Sequence, residues 1–119
     1  MFRLLHTAYS PEGQVTDSRR ACWITKLLAE RSFRTAQIEG LDAASGAPPD
    51  PAADAVTDLL RAGACAALKE IDDALARLVS GRFGRCVSCS QPIQLERLDV
   101  LPMTSRCMPC QYDAEERSG

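Results

Sequence analysis

The sequence predicts a mainly α-helical protein, in which an antiparallel, coiled-coil-like helical hairpin precedes a small C-terminal four-cysteine domain with a short terminal helix. The chain has 119 residues, enough for one ordinary domain. Only 5% of the residues are aromatic, while alanine and leucine are plentiful, which favours paired helices over a thick sheet core. Two apolar stripes at helical spacing flank a glycine- and proline-rich stretch, and two CxxC pairs follow them.

The first helix of the hairpin follows an N-terminal arm, residues 1–16, which we expect to be flexible. Thr16, Asp17 and Ser18 are candidates for its N-cap. The stretch AASGAPP ends the helix, because a glycine and two prolines oppose its continuation. The apolar residues of this helix recur at a largely helical period: Trp23, Ile24, Leu27, Leu28, Ile38 and Leu41.

The second helix begins at Asp50-Pro51, an N-cap followed by proline at the first helical position, and runs to about Ser80. Each helix is about 40 Å long at 1.5 Å per residue, and neither can bury its stripe alone. The short connection therefore predicts an antiparallel hairpin over residues 17–80. The second stripe comprises Val56, Leu59, Leu60, Ala64, Ala67, Leu68, Ile71, Leu75, Leu78 and Val79.

Charge is distributed unevenly along the hairpin. Between Arg34 and Arg61 there are five carboxylates and no lysine or arginine, so an acidic tip is predicted near residues 42–58. The formal net charge of −2 argues against binding through neutralisation of phosphates, and we expect no direct contact with nucleic acid. No apolar run could cross a bilayer and the N-terminus does not resemble a signal peptide, so we expect a cytoplasmic protein without membrane contact.

The C-terminal domain, residues 81–119, holds the strongest motif. Two CxxC pairs are separated by seventeen residues, the spacing of two zinc knuckles folded against each other. Four thiolates complete the tetrahedral coordination of Zn²⁺ and leave no position for a substrate, so one structural ion is predicted. The predicted ligands are Cys86, Cys89, Cys107 and Cys110.

Other interpretations of the four cysteines are an iron centre like that of rubredoxin, a redox dithiol pair, and a DNA-reading finger. The pairing of two CxxC motifs opposes the redox interpretation. A DNA-reading finger of the GATA type has a similar spacer but needs a basic helix or tail, whereas the region from Cys86 to the C-terminus is net acidic.

Several smaller features complete the predictions. A glycine commonly follows the second cysteine of a knuckle, but here Ser90 must adopt the left-handed turn. The segment between the two pairs is predicted to form a small β-hairpin or loop, and a short helix follows Cys110. Cys22 and Cys65 are expected to be small buried hydrophobes, and His6 is assigned no role.

The sequence from about residue 75 to residue 111 resembles the zinc-finger region of the DksA/TraR family of bacterial transcription regulators. The hairpin before it resembles the family in architecture. The matching residues are Gly81, Phe83, Gly84, the four cysteines, Pro92-Ile93, Arg97-Leu98 and Pro102.

This resemblance implies a non-enzymatic regulator of transcription initiation that binds RNA polymerase directly. The hairpin would enter the secondary channel of the polymerase, with its acidic tip near the catalytic magnesium, and the zinc domain would rest on the channel rim. The family tip reads D-P-x-D-x-A, whereas here the second carboxylate is displaced by one residue. The tip residues implied are Asp50, Asp54, Ala55 and Asp58.

Guanosine tetraphosphate is not an expected ligand. Family members that respond to it carry basic side chains at positions occupied here by Glu70, Leu101 and Gln111. The alternative function is a zinc-stabilised adaptor that holds another protein with its hairpin. A zinc-dependent enzyme ranks third, because no acid, base or open metal position is evident.

Overall fold

The computed structural model of the chain describes residues 15–44, 48 and 50–118, and the molecule measures 69 × 33 × 21 Å. Two long helices form a hairpin and two short ones belong to the C-terminal domain. No β-strand occurs in the described residues, where one isolated bridge joins Arg85 and Pro92. The predicted fold class is confirmed. The helices are α1 (Asp17–Ala44), α2 (Pro51–Ser80), α3 (Leu95–Val100) and α4 (Met108–Ser118).

The antiparallel arrangement of α1 and α2 is visible in two ion pairs between them. Arg31 Nε lies 2.8 Å from a carboxylate oxygen of Asp72, and Arg61 Nε lies 2.7 Å from one of Asp42. Between the two pairs the chain advances eleven residues along α1 and retreats eleven along α2. The two helices therefore run in opposite directions in constant register.

The starts of both long helices and the end of α2 are capped by the residues that the sequence provides. The Thr16 hydroxyl accepts a hydrogen bond from the Arg19 amide, and the Asp50 carboxylate accepts from the amides of Ala52 and Ala53. At the end of α2, Gly81 adopts a left-handed φ of +77°. The amides of Gly81 and the next residue donate back to carbonyls in the last turn, which is a Schellman motif.

The hydrophobic core lies at the base of the hairpin, where both long helices meet the C-terminal domain. The Trp23 and Phe83 rings are in contact, with centroids 5.2 Å apart. One continuous cluster thus joins the hairpin to the C-terminal domain. Its buried members are Trp23, Leu27, Ile71, Ala74, Phe83, Cys86, Ile93 and Leu98.

The second apolar stripe does not stay buried along its whole length. Near the tip, Val56, Leu59 and Leu60 are exposed, and at the base Val79 is 90% exposed. Two helices packed side by side can cover only a narrow seam, and near the tip no third element of the described residues lies over them. The prediction that these four residues belong to a buried stripe was wrong.

The segment between the cysteine pairs contains a helix where a β-hairpin or loop was predicted. Helix α3 spans only six residues, too few for a helical period to be recognised in the sequence. Leu95 and Leu98 are three residues apart and so lie on one face, and Leu98 is fully buried in the core. Contact with the hairpin base thus stabilises a helix that is too short to be stable alone.

Other predictions have mixed outcomes. Cys22 is exposed and not a buried hydrophobe, while Cys65 is half-buried beside the Arg61 guanidinium.

Most of the predicted flexible arm, with His6, lies outside the described residues, as does part of the predicted tip, residues 45–47 and 49. No helix in the described part of the chain is long and apolar enough to span a membrane.

Candidate functional site

The first cysteine pair lies in a tight turn that begins directly after the bridge between Arg85 and Pro92. The Cys86 amide donates to the Gln91 carbonyl at 2.8 Å, and the Ser90 amide donates to the Cys86 carbonyl at 2.9 Å. Ser90 has a φ of +64°, the one positive value for a non-glycine residue among those described. The left-handed turn predicted at this position is therefore present despite the absence of glycine.

The second cysteine pair opens α4. Cys107 precedes the helix and Cys110 lies in its first turn, where the Gln111 amide donates to the Cys107 carbonyl at 2.9 Å. A backbone hydrogen bond from Val87 to Ser105, 2.8 Å long, joins the two pairs. Helix α4 thus holds two sulfur atoms against the turn that holds the other two.

The structure brings the four predicted ligands together. Their sulfur atoms all lie within 4.8 Å of one another, and the Cys89 and Cys107 sulfurs are 3.7 Å apart. Tetrahedral Zn²⁺ with Zn–S bonds of about 2.3 Å requires sulfurs about 3.8 Å apart. The geometry of the donor set therefore fits one zinc ion.

The electrostatics of the cluster also favour a cation. Burial raises the pKa of the Cys86 thiol, but backbone amides of Cys107, Cys89 and Ser88 outweigh it and lower this pKa to about 6. The neighbouring sulfurs raise the pKa of Cys110 to about 12. Without a divalent ion the four sulfurs therefore cannot all be thiolates at neutral pH, and a bound divalent cation favours deprotonation of all four.

The predicted tip residues lie at the start of α2, at the opposite end of the hairpin from the cysteines. Asp50, Asp54, Ala55 and Asp58 are all exposed. Among the described residues, none of the three carboxylates forms an ion pair, although Asp50 accepts the two capping hydrogen bonds. Asp54 and Asp58 are four residues apart and so share one side of the helix.

Asp42, at the other boundary of the predicted acidic tip, behaves differently. Arg61 donates to both of its carboxylate oxygens, at 2.7 and 3.5 Å. Hydrogen bonding to Arg61 holds the pKa of Asp42 below its usual value of 3.8. The negative charge of the tip is thus concentrated at the start of α2.

A polar cluster at the base of the hairpin was missed in the sequence. Arg19 makes a bidentate contact with Asp99, at 3.1 and 2.6 Å, and the Trp23 indole donates to the same carboxylate at 2.8 Å. Lys26 donates to the Asp99 carbonyl. These contacts join residues more than seventy positions apart, so no local pattern could have indicated them.

The three positions that the resemblance associates with guanosine tetraphosphate converge in space. Glu70, Leu101 and Gln111 line one open pocket of about 280 Å³. Arg97 and Arg106 also line it, but Arg97 donates to the Arg106 carbonyl and to the Met108 sulfur. The pocket thus presents an acidic, an apolar and an amide side chain at these three positions.

Comparison with known proteins identifies the C-terminal domain. Residues 81–116 match the family of the prokaryotic dksA/traR C4-type zinc finger. With the clustered sulfurs, this match confirms the predicted structural zinc ion. The family is one of transcription regulators, as the resemblance in the sequence implied.

Two further similarities cover longer parts of the chain. The structure of transcription factor DksA2 from Pseudomonas aeruginosa matches with a TM-score of 0.62 and 25% sequence identity, over 98% of both chains. An uncharacterized protein of Aquifex aeolicus (strain VF5) is 39% identical over 54 residues. That match covers 45% of this chain, which spans little more than a third, 37%, of the relative's length.

Proposed function

We propose, from the match of its zinc finger to the DksA/TraR family and from the similarity of its fold to a DksA structure, that this chain regulates transcription initiation by binding RNA polymerase directly. The hairpin enters the secondary channel, and the zinc domain holds the base of the hairpin at the channel rim. The protein acts without catalysing a reaction, since a zinc ion with four thiolate ligands has no position for a substrate.

One observation carries this proposal: exposed carboxylates lie at the end of a long, narrow hairpin. Asp50, Asp54 and Asp58 are exposed and free of ion pairs within the described residues, far from the core at the base. A helix of 30 residues is about 45 Å long, which suits delivery of charge into a deep channel. Carboxylates delivered there would change the electrostatic field near a bound magnesium ion.

The same surface opposes a DNA-binding function. The chain has a formal net charge of −2, and exposed carboxylates at the tip would be repelled by phosphates. A zinc finger in an acidic chain is better suited to a protein partner. Polymerase binding accounts for both the acidic tip and the finger.

Capture of RNA polymerase tests the proposal. The zinc-loaded full chain, tagged and immobilised, should retain purified bacterial RNA polymerase in the presence of nuclease. The matched control is Asp50→Asn with Asp54→Asn, which should retain polymerase equally well because binding comes mainly from the hairpin sides and the base. Failure to retain polymerase, with a different protein captured from lysate, would favour the adaptor alternative.

Guanosine tetraphosphate should have little effect on this activity. Glu70, Leu101 and Gln111 offer no cation to a phosphate at the three positions concerned. In transcription by purified polymerase, the nucleotide should change the effect of the chain by less than about twofold. A large synergy that disappears in Arg97→Gln would contradict this expectation.

A further inference from the structure

A second pocket, on another side of the C-terminal domain, is lined by three arginines. It has a volume of about 490 Å³, within the range of small-molecule sites. Arg77, Arg82 and Arg85 line it, and Asp73 is its one carboxylate. It shares no residue with the pocket of Glu70, Leu101 and Gln111.

The arginines come from three successive structural features. Arg77 lies in the last turn of α2, Arg82 follows the left-handed turn at Gly81, and Arg85 takes part in the bridge next to Cys86. The Schellman motif fixes the backbone at Arg77 and Arg82. Arg85 is held in place because its neighbour in the chain, Cys86, is a zinc ligand. The pocket is therefore organised before any ligand arrives.

Arg85 donates to the Ser90 carbonyl at 3.3 Å, whereas much of the hydrogen-bonding capacity of Arg77 and Arg82 is unused. Arg82 donates from Nε to the Ser80 hydroxyl at 3.2 Å, and within the described residues its two Nη groups have no partner. Arg77 uses one Nη group for two long contacts, 3.5 and 3.4 Å, with the carbonyls of Met103 and Thr104. No carboxylate of the described chain forms an ion pair with either arginine.

The single carboxylate does not neutralise the pocket. Asp73 is paired with Lys69 on the surface of α2, at 2.9 Å. Burial lowers the pKa of the Arg77 guanidinium. The negative charge of Asp73 raises this pKa and the positive charge of Arg82 lowers it, so that the pKa remains below its usual value. Repulsion between these neighbouring cations destabilises the free protein, and a bound anion would reduce that repulsion.

We propose that this pocket binds a small ligand through an oligophosphate group. Guanidinium groups bind phosphate oxygens in bidentate fashion, and three of them around a concave site suit a compact ligand with several negative charges. An acidic protein segment would more readily use a flat surface. This site is independent of the proposed polymerase binding and goes beyond it.

Isothermal titration calorimetry with inorganic pyrophosphate tests the proposal on the zinc-loaded full chain at constant ionic strength. The wild type should bind one equivalent, and Arg82→Gln should weaken binding at least about tenfold, because it removes charge-assisted hydrogen bonds. The control Arg117→Gln makes the same charge change on exposed α4 and should weaken binding less than about twofold. Zinc content and circular dichroism should be unchanged in both variants.

The result also identifies the source of the phosphate. If ATP binds more tightly than pyrophosphate, with the same dependence on Arg82, the proposal is supported and the ligand is a nucleotide. If ATP and pyrophosphate bind with equal affinity, the proposal is supported and the oligophosphate group alone is recognised. The proposal is overturned if pyrophosphate and ATP both fail to bind, or if Arg82→Gln and Arg117→Gln weaken binding equally. Tighter binding of a glutamate-rich peptide would also overturn it, in favour of an acidic protein segment.

Discussion

The base and the tip of the hairpin are built from the same two helices, yet they differ in what surrounds them. At the base, Trp23 and Leu27 are covered by the C-terminal domain and are at most 2% exposed. Near the tip, Leu59 is 74% exposed. Packing energy is therefore concentrated at one end of the molecule, and exposed carboxylates are found at the other.

This difference implies a division of roles. Substitutions at the base should change stability, because they remove buried contacts that join three parts of the chain. Substitutions at the tip should leave stability almost unchanged and alter the interaction with a partner.

The largest loss is expected from Cys86→Ser, because binding of a structural zinc ion is coupled to folding. The variant should lose stoichiometric zinc and the folded C-terminal domain, and it should weaken the hairpin base, since Cys86 belongs to the shared core. Metal analysis and thermal unfolding followed by circular dichroism measure both effects. The control Cys22→Ser makes the same chemical change at an exposed position and should retain zinc and stability. Full zinc occupancy in Cys86→Ser would contradict the assignment.

Trp23→Ala should be the next most damaging change. It removes a buried ring that contacts Phe83 and donates to Asp99, and large-to-small substitutions of this kind cost about 3–5 kcal/mol of unfolding free energy. Leu59→Ala, near the tip, should cost less than about 0.5 kcal/mol. Urea denaturation of the two variants compares the regions directly. Similar losses in both would show that the hairpin is stabilised evenly along its length.

Asp99→Asn should have an intermediate effect, by weakening the contacts with Arg19 and Trp23. Hydrogen bonds from these residues lower the pKa of Asp99 from 3.8 to about 2. A carboxyl group whose pKa is lowered in the native state stabilises the protein at every pH above its unfolded-state pKa. This contribution is lost only as the pH falls through the range from 3.8 to about 2.

The difference in urea midpoint between wild type and Asp99→Asn should therefore be constant between about pH 5.5 and pH 8. Below this range, protonation of the cysteines also releases zinc and obscures the comparison. A difference that vanishes between pH 8 and pH 6 would show that Asp99 is not held as a carboxylate by these contacts.

The smallest loss of stability is expected from Asp50→Asn combined with Asp54→Asn. Asparagine preserves the N-cap of α2 and the side-chain volume, so the unfolding free energy should change by less than about 0.5 kcal/mol. The effect on transcription initiation should nevertheless disappear, because the proposed mechanism depends on the carboxylate charges. Asp54 should matter at least as much as Asp50, since its direction is fixed one turn into the helix. An unchanged effect in a purified transcription assay would refute the tip mechanism.

The sequence alone determined the features that depend on neighbouring residues. Asp50-Pro51 defines the start of α2 through a cap and a fixed φ, and the glycine and prolines that follow Ala44 in the sequence oppose continuation of α1. The spacing of Cys86, Cys89, Cys107 and Cys110 indicated a single zinc ion, because each pair can reach the same metal. These features are local, and helical periodicity or ligand geometry is enough to predict them.

Only the tertiary structure decided which residues of the apolar stripes are buried and which polar groups meet. Leu27 and Leu59 both belong to apolar stripes, but only Leu27 lies under a third element. Helix α3 exists because Leu98 enters the core, and Asp99 is thereby brought to Arg19, eighty positions away. Burial and long-range pairing depend on where separate elements pack, and the period of one helix carries no information about its neighbours.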